Sequence, residues 1–126
     1  MWSDYDLAGL LATDESMARH MPEGVLISST RPRWGYAAVA DLSGCGAIEE
    51  IAVGVDVLGG DLSVSLASDD DSELLYEQSL PTGWQGSVHL PFALAVGRTH
   101  LTLRSNSEAN APLVALIRSV RLLRPG

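Results

Sequence analysis

The sequence predicts an all-β fold: an antiparallel β-sandwich of eight strands in jelly-roll order, preceded by a short helical lead-in. Two observations carry this prediction. From Val25 onward, apolar and polar residues alternate with a period of two, which is typical of half-buried strands. Turn-forming residues interrupt this alternation about every ten residues, so no room is left for the crossover helices of a parallel sheet.

The chain has 126 residues, the length of one domain. We expect residues 1–24 to form the lead-in and residues 25–126 to form the sandwich. Leucines between residues 7 and 11 have weak helical spacing, and Asp4 or Asp6 is a candidate cap for a helix that begins there. The lead-in is therefore predicted to be a short helix that packs on the sandwich.

The alternation defines the strands one by one. The predicted strands are residues 25–30, 34–42, 48–58, 62–66, 74–80, 88–94, 98–105 and 114–123. Gly59 and Gly60 favour a tight hairpin between the third and fourth strands, because glycine reaches positive φ freely. Pro91 lacks an N–H donor and predicts an edge position or a bulge, and a change of phase near Ile117 predicts a second bulge.

Composition predicts that neither nucleic acid nor a membrane is a partner. The net charge is −8, with sixteen acidic residues against eight arginines, and such a balance repels phosphate backbones and anionic membranes. No apolar run reaches the roughly 18 residues of a membrane-spanning helix. The N-terminal residues lack the pattern of a signal peptide, which predicts a cytoplasmic protein, or else a piece of a longer chain. Cys45 is the one cysteine, so no intramolecular disulfide forms, and nothing near it in the sequence would activate its thiol.

No pattern in the sequence indicates catalysis or a bound cofactor. Nucleophile elbows, phosphate loops and dinucleotide-binding glycine patterns are absent. His20, His89 and His100 are scattered, without the spacing of metal ligands, and the clustered histidines of a cupin-like enzyme are missing. The acidic run Asp69–Asp71 with Glu73 offers oxygen ligands but not the spacing of a calcium loop, so a solvated turn is the better interpretation. We therefore expect no metal, no cofactor and no enzyme.

Aromatic residues suggest a ligand-binding face. In jelly-roll order, strand 34–42 pairs with strand 98–105, and strands 62–66 and 74–80 lie beyond it. The outward side of that sheet would then present His100 and Arg104 beside small serines, which would leave a shallow groove between aromatic and charged walls. Trp34 and Tyr36 share one side of their strand. Two alternatives remain open: these two rings face outward and form a sugar platform, or they fill the core.

Two further features allow either a structural or a functional interpretation. Trp84 stands between glycines in a predicted loop, where it acts either as a contact residue or as a lid over one end of the core. Arg118, Arg121 and Arg124 form either a solvated surface or a positive strip that is complementary to the acidic loop of a second copy.

Three short segments carry a resemblance to a known class of domain. Residues 31–38 (Arg-Pro-Arg-Trp-Gly-Tyr-Ala-Ala), 101–106 (Leu-Thr-Leu-Arg-Ser-Asn) and 117–122 (Ile-Arg-Ser-Val-Arg-Leu) together resemble bacterial jelly-roll carbohydrate-binding modules of the galactose-binding-like type. The resemblance spans residues 25 to 123. It implies a β-sandwich with a sugar-binding face, and such modules often carry a structural calcium ion.

The function predicted from these observations is a non-catalytic carbohydrate-binding module, accessory to a larger protein. Its predicted ligand-binding residues are Trp34, Tyr36, Trp84, His100 and Arg104. The alternative is a structural or assembly domain that mediates protein–protein contact, either in a homo-oligomer or with neighbouring domains. An exposed apolar patch of several hundred square ångströms would favour the alternative.

Overall fold

A computed structural model of the chain describes residues 1–13, 16–30, 35–42, 45–68, 74–91, 99–106 and 112–125. Within these ranges, strands account for nearly all of the regular structure, and none of the helix is α-helix. The strands are β1 (Trp2–Asp4), β2 (Leu10–Ala12), β3 (Ser16–Met21), β4 (Gly24–Ser29), β5 (Tyr36–Asp41), β6 (Glu50–Gly59), β7 (Leu62–Ser68), β8 (Leu74–Leu80), β9 (Gln85–Pro91), β10 (Thr99–Ser105) and β11 (Leu113–Leu123).

The strands form two antiparallel sheets that pack as a sandwich. In the six-stranded sheet the order is β3-β4-β11-β6-β9, and β1 pairs with the C-terminal half of β11. In the five-stranded sheet the order is β2-β5-β10-β7-β8. The predicted all-β sandwich is confirmed, but the described residues form eleven strands instead of the predicted eight, because the N-terminal segment supplies β1, β2 and β3. The predicted pairing of the strand that contains Tyr36 with the strand that contains His100, with two further strands beyond it, is also confirmed.

The core lies between the sheets and follows the period-two pattern. Ile51, Val53, Val55 and Val57 of β6 all point inward and are buried. Inward residues of β7 and β10 meet them from the other sheet; they are Leu62, Val64, Leu66, Leu101 and Leu103. Alternation therefore predicted correctly which residues of the central strands form the core.

The predicted helical lead-in is wrong. Only Leu7–Gly9 forms a turn of 3₁₀ helix, which Asp6 caps by accepting a hydrogen bond of 3.0 Å from the backbone N–H of Ala8. Most of the described remainder of the segment is extended, because β1 pairs with β11, β2 with β5 and β3 with β4. Pairing at the margins of the two sheets therefore satisfies the backbone N–H and C=O groups of this segment, for which the leucine spacing predicted a helix.

The glycine turn at the end of β6 does not close a hairpin. β6 belongs to the six-stranded sheet and β7 to the five-stranded sheet, so Gly60, at φ +67°, turns the chain from one sheet to the other. The two other local predictions are confirmed. Pro91 ends the edge strand β9, and the register of β11 against β6 shifts between Ile117 and Ser119.

The two ends of the described chain lie side by side. The N-terminal amino group of Met1 donates to the carbonyl of Arg124 at 3.1 Å, and the N–H of Arg124 donates to the carbonyl of Met1 at 2.8 Å. Among the residues that the structure describes, no helix is long and apolar enough to cross a membrane.

Candidate functional site

The outward side of the five-stranded sheet brings together three of the predicted site residues. On β10, Leu101 and Leu103 are buried in the core, so His100 and Arg104 point to the opposite side. Tyr36 pairs in register with Arg104 from the neighbouring strand. These three residues, with Glu77 of β8 and Asp41 of β5, are called the Tyr36 face below.

Arg104 lies between an aromatic ring and a carboxylate. Its guanidinium carbon is 5.4 Å from the centre of the Tyr36 ring, and its Nη1 is 3.2 Å from Oε2 of Glu77. The side chains of Arg104 and Glu77 are only 18% and 24% exposed, so water screens this pair less than it screens a fully exposed one. The two contacts fix the guanidinium in one orientation.

A β-bulge explains why Tyr36 faces outward. Strict alternation would put Tyr36 on the same side as Ala38, which is buried in the core. The register shifts here, because Leu103 pairs with Ala38 whereas the next residue, Arg104, pairs with Tyr36. Ala37 is the extra residue, and it moves Tyr36 to the outward side. The alternative in which Tyr36 fills the core is therefore not the one observed.

His100 and Asp41 form the other end of the Tyr36 face. They are direct partners across β10 and β5, and Nε2 of His100 is 3.9 Å from Oδ1 of Asp41. The histidine side chain is 18% exposed and the aspartate side chain 62%, so the carboxylate is the accessible member of the pair.

Small hydroxyl residues form the floor of the Tyr36 face. Ser65 and Thr102 share a hydrogen bond of 2.5 Å between their hydroxyl oxygens, and both residues are buried. Ser63, which is opposite Arg104 in register, is also buried, and its hydroxyl has no hydrogen-bond partner among the described residues. The serines are covered, so they do not leave the open groove that the sequence suggested.

Of the two predicted tryptophans, the structure describes Trp84, which does not join this arrangement. Trp84 lies in the turn between β8 and β9, where its ring packs near Gly86 and against the edge of the core. It is half-buried, and its backbone carbonyl accepts a hydrogen bond from the N–H of Val57 in β6, a strand of the six-stranded sheet. Trp34 falls outside the described residues, so its role stays a prediction from the sequence.

Cys45 is not an activated thiol. Burial raises its pKa above the ordinary cysteine value, and the charge of Arg124 opposes this effect without overcoming it. The Arg124 guanidinium also donates to the carbonyl of Cys45.

The arginines near the C-terminus do not form a free positive strip. Arg118 pairs with Asp56 at 3.2 Å, Arg121 pairs with Asp4 at 3.5 Å, and Arg124 donates to Ser3 at 3.2 Å. Each guanidinium is already engaged within the chain, so the structure does not support the idea that they bind the acidic loop of a second copy.

The acidic run at 69–71 and Glu73 fall outside the described residues. Within the described ranges, no three histidine, cysteine or acidic side chains come together as metal ligands. The absence of a metal or cofactor stays a prediction.

Comparison with known proteins identifies the fold. No protein-family profile and no curated protein sequence matches the chain. Among solved structures, the CBM22-1 xylan-binding domain of Paenibacillus barcinonensis Xyn10C matches with a TM-score of 0.62 at 14% identity, over 94% of this chain and 88% of that one. This is the fold of a carbohydrate-binding module.

Two further matches agree. The carbohydrate-binding module CBM6cm-2 of Cellvibrio mixtus lichenase 5A, in complex with cellotriose, gives a TM-score of 0.60 at 10% identity and covers 100% of this chain and 98% of that one. A family two carbohydrate esterase from Clostridium thermocellum gives 0.56 at 20% identity, with 94% of this chain matching 34% of that enzyme. The resemblance stated from the sequence is confirmed for the fold.

Sequence reasoning missed the acidic partners on this face. Glu77 and Asp41 were not predicted, because their proximity to Arg104 and His100 depends on strand register. The sequence did carry a signal for Glu77, because it lies in a predicted strand beside the one that contains Ser65. Only the register of the two strands, in which Glu77 pairs with Ser65, brings it close to Arg104.

Proposed function

We propose that the chain is a non-catalytic carbohydrate-binding module, accessory to a larger protein, and that the Tyr36 face contacts the sugar. One observation carries the proposal: Tyr36 lies with His100 and Arg104, from which it is remote in sequence, on the outward side of one sheet in a sandwich that shares its fold with carbohydrate-binding modules.

The chemistry of the face matches that of a sugar. A pyranose presents an apolar C–H surface, which packs against an aromatic ring, and a rim of hydroxyl groups that both donate and accept hydrogen bonds. Tyr36 supplies the ring, Arg104 supplies donors, and the carboxylates of Glu77 and Asp41 supply acceptors. An arginine beside a carboxylate therefore suits two neighbouring hydroxyls of one sugar.

The face is also organised before a ligand arrives. Arg104 is held by Tyr36 and Glu77, and the floor beneath it is a covered layer of hydroxyl residues. Groups that are already ordered lose less conformational entropy on binding. Trp84, which is half-buried in the turn before β9, and Trp34 stay predicted contact residues of the module.

The test is retention of the protein in gels that contain soluble xylan or a soluble cellulose derivative, followed by calorimetric titration with xylohexaose and cellohexaose. We expect Tyr36→Ala to weaken binding by about tenfold or more, a loss of about 1.4 kcal/mol. Arg104→Gln should weaken it similarly, because it removes charge-assisted donors. Gln85→Ala, an exposed change on the other sheet, is the matched control and should bind like the wild type.

Unaltered binding by both variants, with the fold of each verified by circular dichroism, would refute the Tyr36 face as the binding site. If the wild-type protein binds none of these glycans, the proposed function itself loses its support.

A second candidate function is an assembly domain, which one observation favours. The outward side of the six-stranded sheet is apolar around the N-terminal half of β11. Met17 of β3 and Leu58 of β6 are 72% and 56% exposed, and half-buried Leu26, Val114 and Leu116 lie between them. Outward faces of antiparallel sheets are ordinarily polar where they meet water.

Sedimentation measurements over a range of concentrations test this candidate. A dimer that dissociates when Met17→Glu and Leu58→Glu are combined would favour assembly through this patch. A protein that stays monomeric at every concentration would contradict self-association through this patch.

A further inference from the structure

A second aromatic cluster lies on the outward side of the six-stranded sheet, at the opposite end from the apolar patch. Trp2 of β1 and His89 of β9 meet edge to face, with ring centres 6.0 Å apart. The guanidinium carbon of Arg121 is 5.7 Å from the centre of the Trp2 ring. Because β11 and β6 separate β1 from β9, the two rings reach toward each other across the sheet.

The register explains how these side chains meet. Ala52 of β6 is the partner of Arg121 on one side and of His89 on the other. Its methyl group is too small to fill the space above the centre of the sheet. The larger side chains of Trp2, Arg121 and His89 therefore close over it, and the exposed fraction of Ala52 falls to 9%.

Each basic group in the cluster has a carboxylate partner. Nε of Arg121 is 3.5 Å from Oδ1 of Asp4, and Nδ1 of His89 is 3.4 Å from Oε1 of Glu50. Half of the Arg121 and His89 side chains is exposed, as are 86% of Asp4 and 33% of Glu50. We call Trp2, Asp4, Glu50, His89 and Arg121 the Trp2 face.

The Trp2 face repeats the composition of the Tyr36 face. Each has an aromatic ring with an arginine against it, at 5.7 Å and 5.4 Å, and each arginine is paired with a carboxylate. Each also has a histidine within 4.0 Å of a second carboxylate. The difference is accessibility, because the charged groups of the Trp2 face are more exposed on average.

We propose that the Trp2 face is a second carbohydrate-binding surface, so that the module holds one glycan chain on each side of the sandwich. The proposal rests on the proposed function for its class of ligand. The indole offers more apolar area than a phenol ring for a sugar to pack on, and the flanking charged groups offer donors and acceptors to its hydroxyls. Two surfaces on opposite sheets cannot act on one short oligosaccharide together, so each binds its own.

Calorimetric titration with xylohexaose and cellohexaose measures the number of sites. We expect about two oligosaccharides per wild-type chain and one per chain after either Tyr36→Ala or Trp2→Ala. Trp2 also belongs to β1, so its loss also disturbs the N-terminal strand. His89→Ala and Arg121→Gln alter exposed groups of the same face and should weaken the second site by roughly tenfold, about 1.4 kcal/mol. Gln85→Ala, on the same strand as His89, should retain both sites.

A second readout does not depend on stoichiometry. A protein with two separate glycan sites links soluble xylan chains, which raises light scattering, whereas a protein with one site does not. Variants of either face should abolish this cross-linking while binding at the other face persists.

The outcomes separate the two proposals. A single site in the wild type that Tyr36→Ala removes, with Trp2-face variants unaffected, would overturn the second surface and leave the proposed function in place. A single site that only Trp2-face variants remove would overturn the Tyr36 face and retain the Trp2 face. No binding of either oligosaccharide would overturn both.

Discussion

At the scale of single residues, the hydroxyls beneath Arg104 differ in one respect that matters for stability. The hydroxyls of Ser65 and Thr102 hydrogen-bond to each other, whereas the equally buried Ser63 hydroxyl has no partner in the part of the chain that the structure describes. A buried hydroxyl without a hydrogen bond costs free energy, while a pair that is satisfied costs little. Two serines that share a strand face and a degree of burial are therefore expected to differ in their contribution to stability.

Substituting each serine by alanine should reveal this difference. We expect Ser65→Ala to lower the free energy of unfolding by about 1 kcal/mol, because Thr102 keeps only a long bond of 3.5 Å to the Ser65 carbonyl. Ser63→Ala should leave stability unchanged or raise it. Urea denaturation of both variants makes the comparison, and equal losses would contradict it.

The raised pKa of Cys45 leads to a prediction about reactivity. Because burial favours the neutral thiol, less thiolate is present at pH 8 than in an ordinary cysteine, and the thiolate is the species that reacts. The folded protein should therefore react with Ellman's reagent more slowly than glutathione does. The same protein unfolded in guanidinium should react at the rate of a free thiol. A folded-state rate above that of glutathione would mean that the charge of Arg124, which lowers the pKa of the thiol, outweighs the effect of burial.

At the scale of strands, periodicity predicted well which side chains face the core, but it predicted poorly which strands pair with each other. The inward residues of β6, β7 and β10 follow directly from alternation. The structure of the lead-in did not follow from alternation. β1 and β2 are only three residues long, and β3 is largely exposed at the edge of its sheet, so no alternation of buried and exposed residues reveals them as strands. The turn at Gly60 was recognised, but a turn does not encode which sheet its two strands join.

The same reasoning separates the predictable part of the Tyr36 face from the rest. Jelly-roll order was enough to put Tyr36, His100 and Arg104 on neighbouring strands. The bulge at Ala37 and the approach of Glu77 required the register, which comes from packing across the whole sheet and not from any local pattern.

Two glycines with positive φ, Gly24 at the start of β4 and Gly83 in the turn between β8 and β9, offer a test of how tightly the strands approach. A Cβ atom at Gly24 would lie 2.1 Å from the carbonyl oxygen of Ile117, and its φ is +144°. Gly83 has φ +90° but meets nothing within 4 Å. Gly83→Ala should cost about 1–2 kcal/mol from backbone strain alone.

Gly24→Ala combines strain with a collision against backbone and should cost roughly 3 kcal/mol or more, or prevent folding. Thermal and urea denaturation of the two variants show which of them is less stable. If the two variants are equally stable, β4 and β11 do not pack as closely as described.

At the scale of the molecule, an all-β sandwich has a spectroscopic signature. Helix in the described residues is confined to Leu7–Gly9. Far-UV circular dichroism should therefore show a β spectrum with well under a fifth helix. A larger helical signal would be incompatible with β1, β2 and β3 as strands, and truncation of residues 1–21 would show whether it comes from that segment.

The backbone pairing of Met1 with Arg124 makes the fold nearly a closed ring, with a seam where the two ends touch. Topology does not require the chain to be open at this seam. A circular permutant that links residue 125 to residue 1 through a short glycine linker, and opens instead between exposed Pro22 and Glu23, should keep the same sandwich. Opening the ring within β11, which pairs with three other strands, should prevent folding. The order in which the strands are synthesised is thus separable from the architecture that they build.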